Sequence, residues 1–229
     1  MTSYTDQNII DSWRQNAKPW ANAVCKNEIE SRNLVTNAAI IDTILQREPQ
    51  KVLDIGCGEG WLTRELSKSG IETLGIDVVP ELVEDANRQG GGVFQVLAYE
   101  DLSADVIEEK FDVVVCNFSL LGNESVTKVF EWVSHVLNDN GFFIVQTIHP
   151  VSGCGDAEYQ DGWRKGSWTG FSDNFSNPPP WYFRTLETWK ELFRDNGFSM
   201  SEILEPLNPK TKAFASIIFV GKMANSKME

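Results

Sequence analysis

Two carboxylates and three glycines carry the clearest chemistry in this sequence. Asp54 precedes Gly56, Gly58 and Gly60 in the run Val52-Leu53-Asp54-Ile55-Gly56-Cys57-Gly58-Glu59-Gly60, and Asp77 follows 23 residues after Asp54. Glycine has no Cβ and tolerates positive φ, so such a turn lets the backbone come close to a ligand. A helix start behind the turn offers unpaired N–H groups as well. A carboxylate ending the next strand can accept both hydroxyls of a ribose, which makes Asp77 a candidate nucleoside contact, the alternative being a solvated turn aspartate. The spacing separates two ligand classes. A dinucleotide fingerprint wants G-x-G-x-x-G, and Trp61 stands where the third glycine would be. Asp54 at the strand's end is a poor neighbour for a pyrophosphate and a good one for a cation.

These residues need strands that end beside one another. Residues 52–55 read as a β-strand, and 61–68 read as a helix with Leu62 and Leu66 four apart. Residues 72–77 form a second strand, and Pro80 is placed to open a helix through Arg88. Residues 93–97 and 111–117 are the third and fourth strands, the fourth a nearly continuous apolar run as in a strand buried on both faces. Val126, Val129, Phe130, Val133, Val136 and Leu137 trace an amphipathic helix halted by Asn138-Asp139-Asn140-Gly141, before a fifth strand at 142–148. This alternation predicts a parallel sheet covered on both faces, with ligands outside the carboxyl ends of its strands.

Helical and irregular segments flank that core. Ile10, Trp13, Ala17, Trp20 and Val24 share one helical face, and Pro19 is expected to kink or restart that helix. A second helix has Leu34, Ala38, Ile41 and Leu45 on its stripe and Pro49 past its end. Residues 149–183 show no period and hold Tyr159, Trp163, Trp168, Phe171, Phe175, Trp181 and Tyr182. A segment of that length is usually functional, and its aromatic content argues against disorder. A helix at 185–196 and two strands at 198–204 and 213–220, joined by a turn at 206–211, close the chain.

The glycine run resembles the first motif of the class I S-adenosylmethionine-dependent methyltransferases, hydrophobic-Leu-Asp-hydrophobic-Gly-Cys-Gly-x-Gly, and every position of it is matched. Residues 111–121 look like the family's fourth motif and 141–147 like its fifth strand. Tyr182-Phe183-Arg184-Thr185-Leu186, Asn196-Gly197-Phe198 and Glu205-Pro206 are similar to the C-terminal helix and strand of small-molecule members. The resemblance runs from about 51 to 223, apart from the insert at 149–181. It implies an α/β fold with a doubly wound, seven-stranded, mostly parallel sheet whose last strand runs antiparallel, and S-adenosylmethionine as cofactor. Chain 1–229 is then one domain, with a helical lid at 1–47, a cofactor-binding core at 48–148, an acceptor-side insert at 149–183 and a closing helix and hairpin at 184–229.

The resemblance also implies roles for residues. Gly56, Cys57, Gly58 and Gly60 shape the cofactor loop, Asp54 lies near the sulfonium, Asp77 holds the ribose and Val78 packs on the adenine. Where the family often reads Asp-Ala-Glu-Asp-Leu, this chain has Ala98-Tyr99-Glu100-Asp101-Leu102. The missing Asp leaves the adenine amino group to Glu100 or a backbone carbonyl, with the Tyr99 N–H for a ring nitrogen. Asn117 and Phe118 follow the strand where the cofactor's methionine half meets the acceptor. Arg32 is a candidate for the cofactor carboxylate by a bidentate pair, or else a surface salt bridge. Trp20, Phe118, Tyr159, Trp163 and Trp181 are candidate acceptor contacts, although Tyr159 and Trp163 equally suit a small core within the insert.

A sulfonium carries its own leaving group, so positioning a nucleophile in line supplies much of the rate, and a base helps only when the acceptor arrives protonated. His149, at the end of the fifth strand, is the candidate base; its alternative is to stabilise the bend before Pro150. His135 reads as solvated surface.

Composition narrows the partners. The 229 residues, 41% hydrophobic and 23% charged, suit one globular domain. With 33 acidic against 20 basic side chains the net charge is −13, which opposes a nucleic-acid partner. Cys25, Cys57, Cys116 and Cys154 are far apart and form no C-x-x-C pair, so neither a metal site nor a disulfide framework is expected, and a reducing compartment is. Residues 1–8 lack a signal-peptide pattern and no run reaches membrane-spanning length, so a cytoplasmic protein without a membrane partner is expected. The expected function is methyl transfer to a small, aromatic or apolar acceptor, with oligomeric state open. Three competitors stand beside it: an RNA- or tRNA-modifying enzyme sharing the core, a non-catalytic cofactor-binding module, and a nicotinamide oxidoreductase, which Trp61 and Asp54 oppose.

Overall fold

Apolar runs and glycine-ended helices assemble around one large sheet in this computed structural model, which describes residues 4–103 and 105–223. The expected N-terminal and closing segments therefore extend beyond the described residues at 1–3 and 224–229. In chain order the elements are α1 (Asp6–Cys25), α2 (Asn37–Leu45), β1 (Lys51–Ile55), α3 (Trp61–Lys68), β2 (Glu72–Asp77), α4 (Pro80–Gln89), β3 (Val93–Val96), β4 (Phe111–Asn117) and α5 (Glu124–Val133). There follow β5 (Leu137–Thr147), α6 (Pro150–Cys154), β6 (Gly162–Arg164), β7 (Trp181–Phe183), α7 (Leu186–Asp195), β8 (Phe198–Leu204) and β9 (Ile217–Met223).

The sheet has the order β3-β2-β1-β4-β5-β9-β8, with β1 to β5 parallel and β9 antiparallel to both its neighbours. This is the doubly wound arrangement, and its order reverses between β1 and β4. A crevice opens at such a reversal. Leu53, Ile55, Val114 and Phe143 turn to the face covered by α5 and α7, where Phe130 meets Phe143 and Phe193 edge to face at 4.9 and 5.0 Å. Val52, Val113, Val115 and Ile144 turn to the other face, under Ile40 and Ile44 of α2 and Leu62 and Leu66 of α3. No helix among the described residues is long and apolar enough to cross a membrane.

Three expectations change. Of the two outcomes expected at Pro19, a restart does not occur, since α1 runs on through it; a proline forfeits its own N–H, and packing of Ala17 and Trp20 with Val79 and Leu82 holds the helix across that gap. The stripe of the second helix is rotated: Ile40, Thr43 and Ile44 are buried, whereas Leu34 and Ala38 are exposed. Leu34 falls in a π-helical turn at Arg32–Thr36, whose extra residue takes it out of phase with α2; within α2 the buried face is centred on Ile40 and Ile44. Lastly, α5 stops at Val133, and residues 138–141 lie inside β5 as a bulge opposite Phe111 and Val113, with Asn140 at φ 64°.

The insert is partly ordered by the chain's own pairing. β6 and β7 form a two-stranded antiparallel ribbon, and α6 starts with Pro150 at its first position. Trp168, Phe171 and Phe175 cluster with centroids 4.7–5.2 Å apart.

Candidate active site

A cavity of about 490 Å³ opens at the carboxyl ends of β1, β2 and β4, within the range of small-molecule sites. Its floor is the glycine loop, whose own hydrogen bonds fix its shape. The Gly56 and Cys57 N–H groups both donate to the Ile76 carbonyl at 2.8 and 3.0 Å, the Gly60 N–H donates to the Cys57 carbonyl, and the Gly58 N–H donates to Asp77 Oδ2 at 2.9 Å. These four donors are spent within the chain itself. Gly56 is required by crowding: a Cβ would lie 2.3 Å from the Ser119 Cβ and 2.6 Å from the Tyr99 hydroxyl. Gly58 differs, because a Cβ would meet nothing nearer than the Trp20 indole nitrogen at 3.7 Å. The backbone at Gly58 is thus open to a ligand.

Asp77 closes the loop from the next strand. Its Oδ1 accepts from the Val79 N–H at 2.9 Å and its Oδ2 from Gly58, and each oxygen keeps a further lone pair for a hydroxyl. Burial pushes its carboxyl up, with these backbone donors opposing the shift. Val78, Tyr99 and Glu100 line the same end of the cavity, where the Tyr99 hydroxyl donates to the Ser119 carbonyl at 3.3 Å. At the end of β4, Asn117 presents a buried Oδ1 with no hydrogen-bond partner. Phe118 beside it holds φ at 54°, a left-handed conformation that is strained for a bulky residue and that collects at functional sites.

Arg32 reaches the cavity from the π-helical turn. Its guanidinium stacks 4.7 Å from the Trp61 ring centre and 5.6 Å from Trp20, and its Nη2 is buried without a partner. Burial lowers its pKa while Glu59 raises it. The surface salt bridge that was its alternative role is therefore not its place in the fold. Among the described residues lining the cavity Arg32 is the one cation, against Asp6, Glu59, Asp77 and Glu100. Such a lining suits a positively charged ligand, as S-adenosylmethionine is at its sulfonium.

Two expected residues stand apart from the cavity. Asp54 does not line it. Strand alternation turns Asp54 to the same face as Val52, where it is 2% exposed and accepts from the Thr63 hydroxyl of α3 at 3.1 Å. Burial pushes its carboxyl up to about 7. His149 is also absent from the lining, which corrects its reading as a base. Its ring stacks on Phe214 with centroids 4.0 Å apart, Nδ1 accepts from the Val151 N–H, and Nε2 lies 3.0 Å from Glu205. Nδ1 thus serves the start of α6 and Nε2 ties it to the segment after β8.

The aromatic candidates divide likewise. Trp20, Phe118 and Trp181 line the cavity; Tyr159 and Trp163 do not, and pack instead on Phe183 and Tyr182. Cys57 reaches the lining, but its sulfur turns down toward Gly75 and the Phe94 cluster. Trp13, Trp168, Trp61 and Glu59 also line the cavity, and sequence reasoning had not selected them. Trp13 stood on the apolar stripe of α1 and Trp168 in the aromatic insert, so both carried a signal. Nothing in the sequence marked Glu59 as buried.

The roof is built from α1 and the insert, far apart in the chain. Ile10 and Trp13 of α1 face Trp168 and Trp181 of the insert across the cavity, with Trp13 and Trp168 edge to face at 5.8 Å. The Asp6 carboxylate accepts from the N–H groups of Asn123 and Ser125 at 2.9 and 2.7 Å, capping α5 from a distance. Buried Arg184 donates to the Gly122 carbonyl at 2.8 Å and the Asn123 carbonyl at 3.1 Å. The connection after β4 is thereby held between the lid and the start of the closing segment.

Comparison with known proteins places this geometry. Residues 30–203 match a family model described as a methyltransferase domain. A ubiquinone biosynthesis O-methyltransferase of Xylella fastidiosa is 31% identical over 121 residues, covering 49% of each chain. An uncharacterized methyltransferase of Schizosaccharomyces pombe is 26% identical over 171 residues, covering 72% of this chain and 65% of that one. The chain thus spans about half the length of the first of these curated relatives. Among solved structures, the 1,6-didemethyltoxoflavin-N1-methyltransferase of Burkholderia thailandensis, with its substrate and S-adenosylhomocysteine bound, aligns over 98% of this chain and 93% of its own, with a TM-score of 0.66 at 16% identity. A putative S-adenosylmethionine-dependent methyltransferase of Listeria monocytogenes aligns over 82% and 97%, with a TM-score of 0.65 at 20% identity.

Proposed function

Since the chain belongs to the methyltransferase-domain family, in its class I, S-adenosylmethionine-dependent branch, we propose that it transfers a methyl group to a small molecule with a flat or apolar body. The observation that carries this reading is the cavity itself. One end is acidic and built on the glycine loop, and the other is walled by Trp13, Phe118, Trp168 and Trp181. Relatives named ubiquinone biosynthesis O-methyltransferase, and a structural neighbour that binds 1,6-didemethyltoxoflavin, support a small acceptor.

The cofactor supplies an activated methyl on a sulfonium that departs as a neutral thioether. Asp77 takes the ribose hydroxyls, and Val78, the Tyr99 N–H and Glu100 receive the adenine. Asn117 lies beside the methionine half, and Arg32 takes its carboxylate. Phe118 and the tryptophans hold the acceptor's flat body in line and exclude water, so the chain's contribution is orientation. The lid up to residue 47 and the insert at 149–183 close together over the acceptor. Nucleic acid is outside this reading, because four carboxylates and one guanidinium line the cavity.

Binding stabilises a native state by mass action, so S-adenosylhomocysteine raises the melting temperature in a concentration-dependent way. Labelled cofactor with a panel of flat phenols, heteroaromatic amines and carboxylic acids then reads the acceptor class. A shift produced by a nicotinamide cofactor instead, with none from S-adenosylhomocysteine, overturns the proposal.

A further inference from the structure

Resting on that cofactor reading, we propose that Glu59 is the receptor for the α-ammonium of the cofactor's methionine end, and that Glu59 and Arg32 together read an intact amino acid. Glu59 follows the open Gly58 and is 2% exposed, yet neither of its carboxylate oxygens has a hydrogen-bond partner. A carboxylate removed from water in this way needs a cation and donors. Arg64 does not meet that need. Its Nη2 stands 3.8 Å from Glu59 Oε1, beyond hydrogen-bonding distance, and its Nη1 is spent on the Glu59 backbone carbonyl. Arg32 does not meet it either, since its Nε donates to Asn37 Oδ1 at 3.2 Å and its Nη2 has no partner.

Both side chains line the main cavity, and both also line a second cavity of about 280 Å³ behind it. They form a wall with one carboxylate that only the Arg64 guanidinium at 3.8 Å and the Trp20 indole approach, and one guanidinium whose Nη2 is unpartnered. That pair is the charge complement of an α-amino acid: the carboxylate faces an ammonium, which has three donors for it, and the guanidinium faces a carboxylate. Trp61 and Trp20 keep the guanidinium in place through their ring faces. Burial raises the Glu59 carboxyl and lowers the Arg32 guanidinium, and in each case the other residue is the largest opposing influence. A ligand bringing both charges relieves both.

Isothermal titration tests this with S-adenosylhomocysteine, its analogue lacking the α-amino group, its decarboxylated analogue and 5′-methylthioadenosine. The wild-type chain is expected to favour S-adenosylhomocysteine over the desamino analogue by about 10- to 100-fold, the range of a charge-assisted contact. Glu59→Gln keeps the shape and removes the charge; it should bring that ratio to near one while leaving affinity for 5′-methylthioadenosine unchanged. Arg32→Met should remove the preference over the decarboxylated analogue and keep the ammonium preference, which tests the arrangement should the first variant not fold. A ratio that survives Glu59→Gln, or equal binding of the desamino analogue by wild type, overturns the inference and leaves the cofactor reading intact. Failure of every adenosine ligand to bind overturns both.

Discussion

The side-chain amide of Asn16 bonds both backbone groups of Ser176, donating to its carbonyl at 2.8 Å and accepting from its N–H at 3.0 Å. Beside it, the Ser12 hydroxyl donates to the Asn177 carbonyl at 2.6 Å. Lid and insert are thereby stitched into one roof across 160 residues of chain. Asn16→Ala leaves the Ser176 N–H unpaired, while the Ser176 carbonyl keeps the Trp168 indole N–H at 3.0 Å, and should cost about 1–3 kcal/mol in urea unfolding. Limited proteolysis should also cut sooner within 166–180. Unchanged cleavage there would mean that the two halves of the roof close independently.

Two glycines of the loop separate folding from binding. A Cβ at Gly60, where φ is 80°, would lie 2.5 Å from the Phe94 ring, whereas at Gly58 it meets only the Trp20 indole nitrogen at an ordinary contact distance of 3.7 Å. Gly58→Ala should cost only about 1–2 kcal/mol for its left-handed backbone and sharply weaken S-adenosylhomocysteine binding. Gly60→Ala should lower the melting temperature more. The reverse order of melting temperatures would contradict the packing beneath the loop.

Asp54 gives stability a pH dependence. Burial raises its folded pKa from the ordinary carboxylate value to about 7, so between about pH 4 and 7 the folded chain holds a proton that the unfolded chain has released. Stability contributed by that proton is present at acid pH and lost as pH rises toward 7, with a slope of at most ~1.4 kcal/mol per pH unit. Asp54→Asn should flatten the wild-type decline over that window. A decline of equal slope in the variant assigns the proton elsewhere.

His149 should prove dispensable for turnover. Its ring nitrogens are engaged by Val151 and Glu205, so His149→Ala should cost far less than the ~100-fold that removal of a general base brings. Stability should fall by about 1–2 kcal/mol through the lost stacking and hydrogen bonds. Kinetics and thermal melts on one preparation separate the two effects, and a loss of about 100-fold or more would restore the histidine to the chemistry.

Much of the architecture was legible because period and punctuation agreed locally. The limits of α3, β2 and β4 follow from their apolar runs and the glycines and Asp77 beside them, and the seven strands with the last antiparallel follow from the resemblance carried by the same run. Residues 138–141 misled because four turn-forming residues were overruled by pairing with β4, which only the tertiary arrangement supplies. The face taken by Asp54 was implicit in the alternation of β1, but which face meets the cleft was not. Glu59 was invisible for a different reason: its burial depends on α1 and the turn at Arg32, far from it in sequence.

The turn at Arg32–Thr36 has a consequence for how the lid can vary. A π-helical turn is an α-helix carrying one surplus residue, so deleting a single residue from 33–36 would let an unbroken α-helix run into α2. Ile40 and Ile44 would keep their seat on the sheet, and Arg32 would swing by about 100° around the helix axis, away from Trp20 and Trp61. One codon's length in this turn thus sets whether the lid's one cation faces the cavity, independently of which side chains the rest of the lid carries.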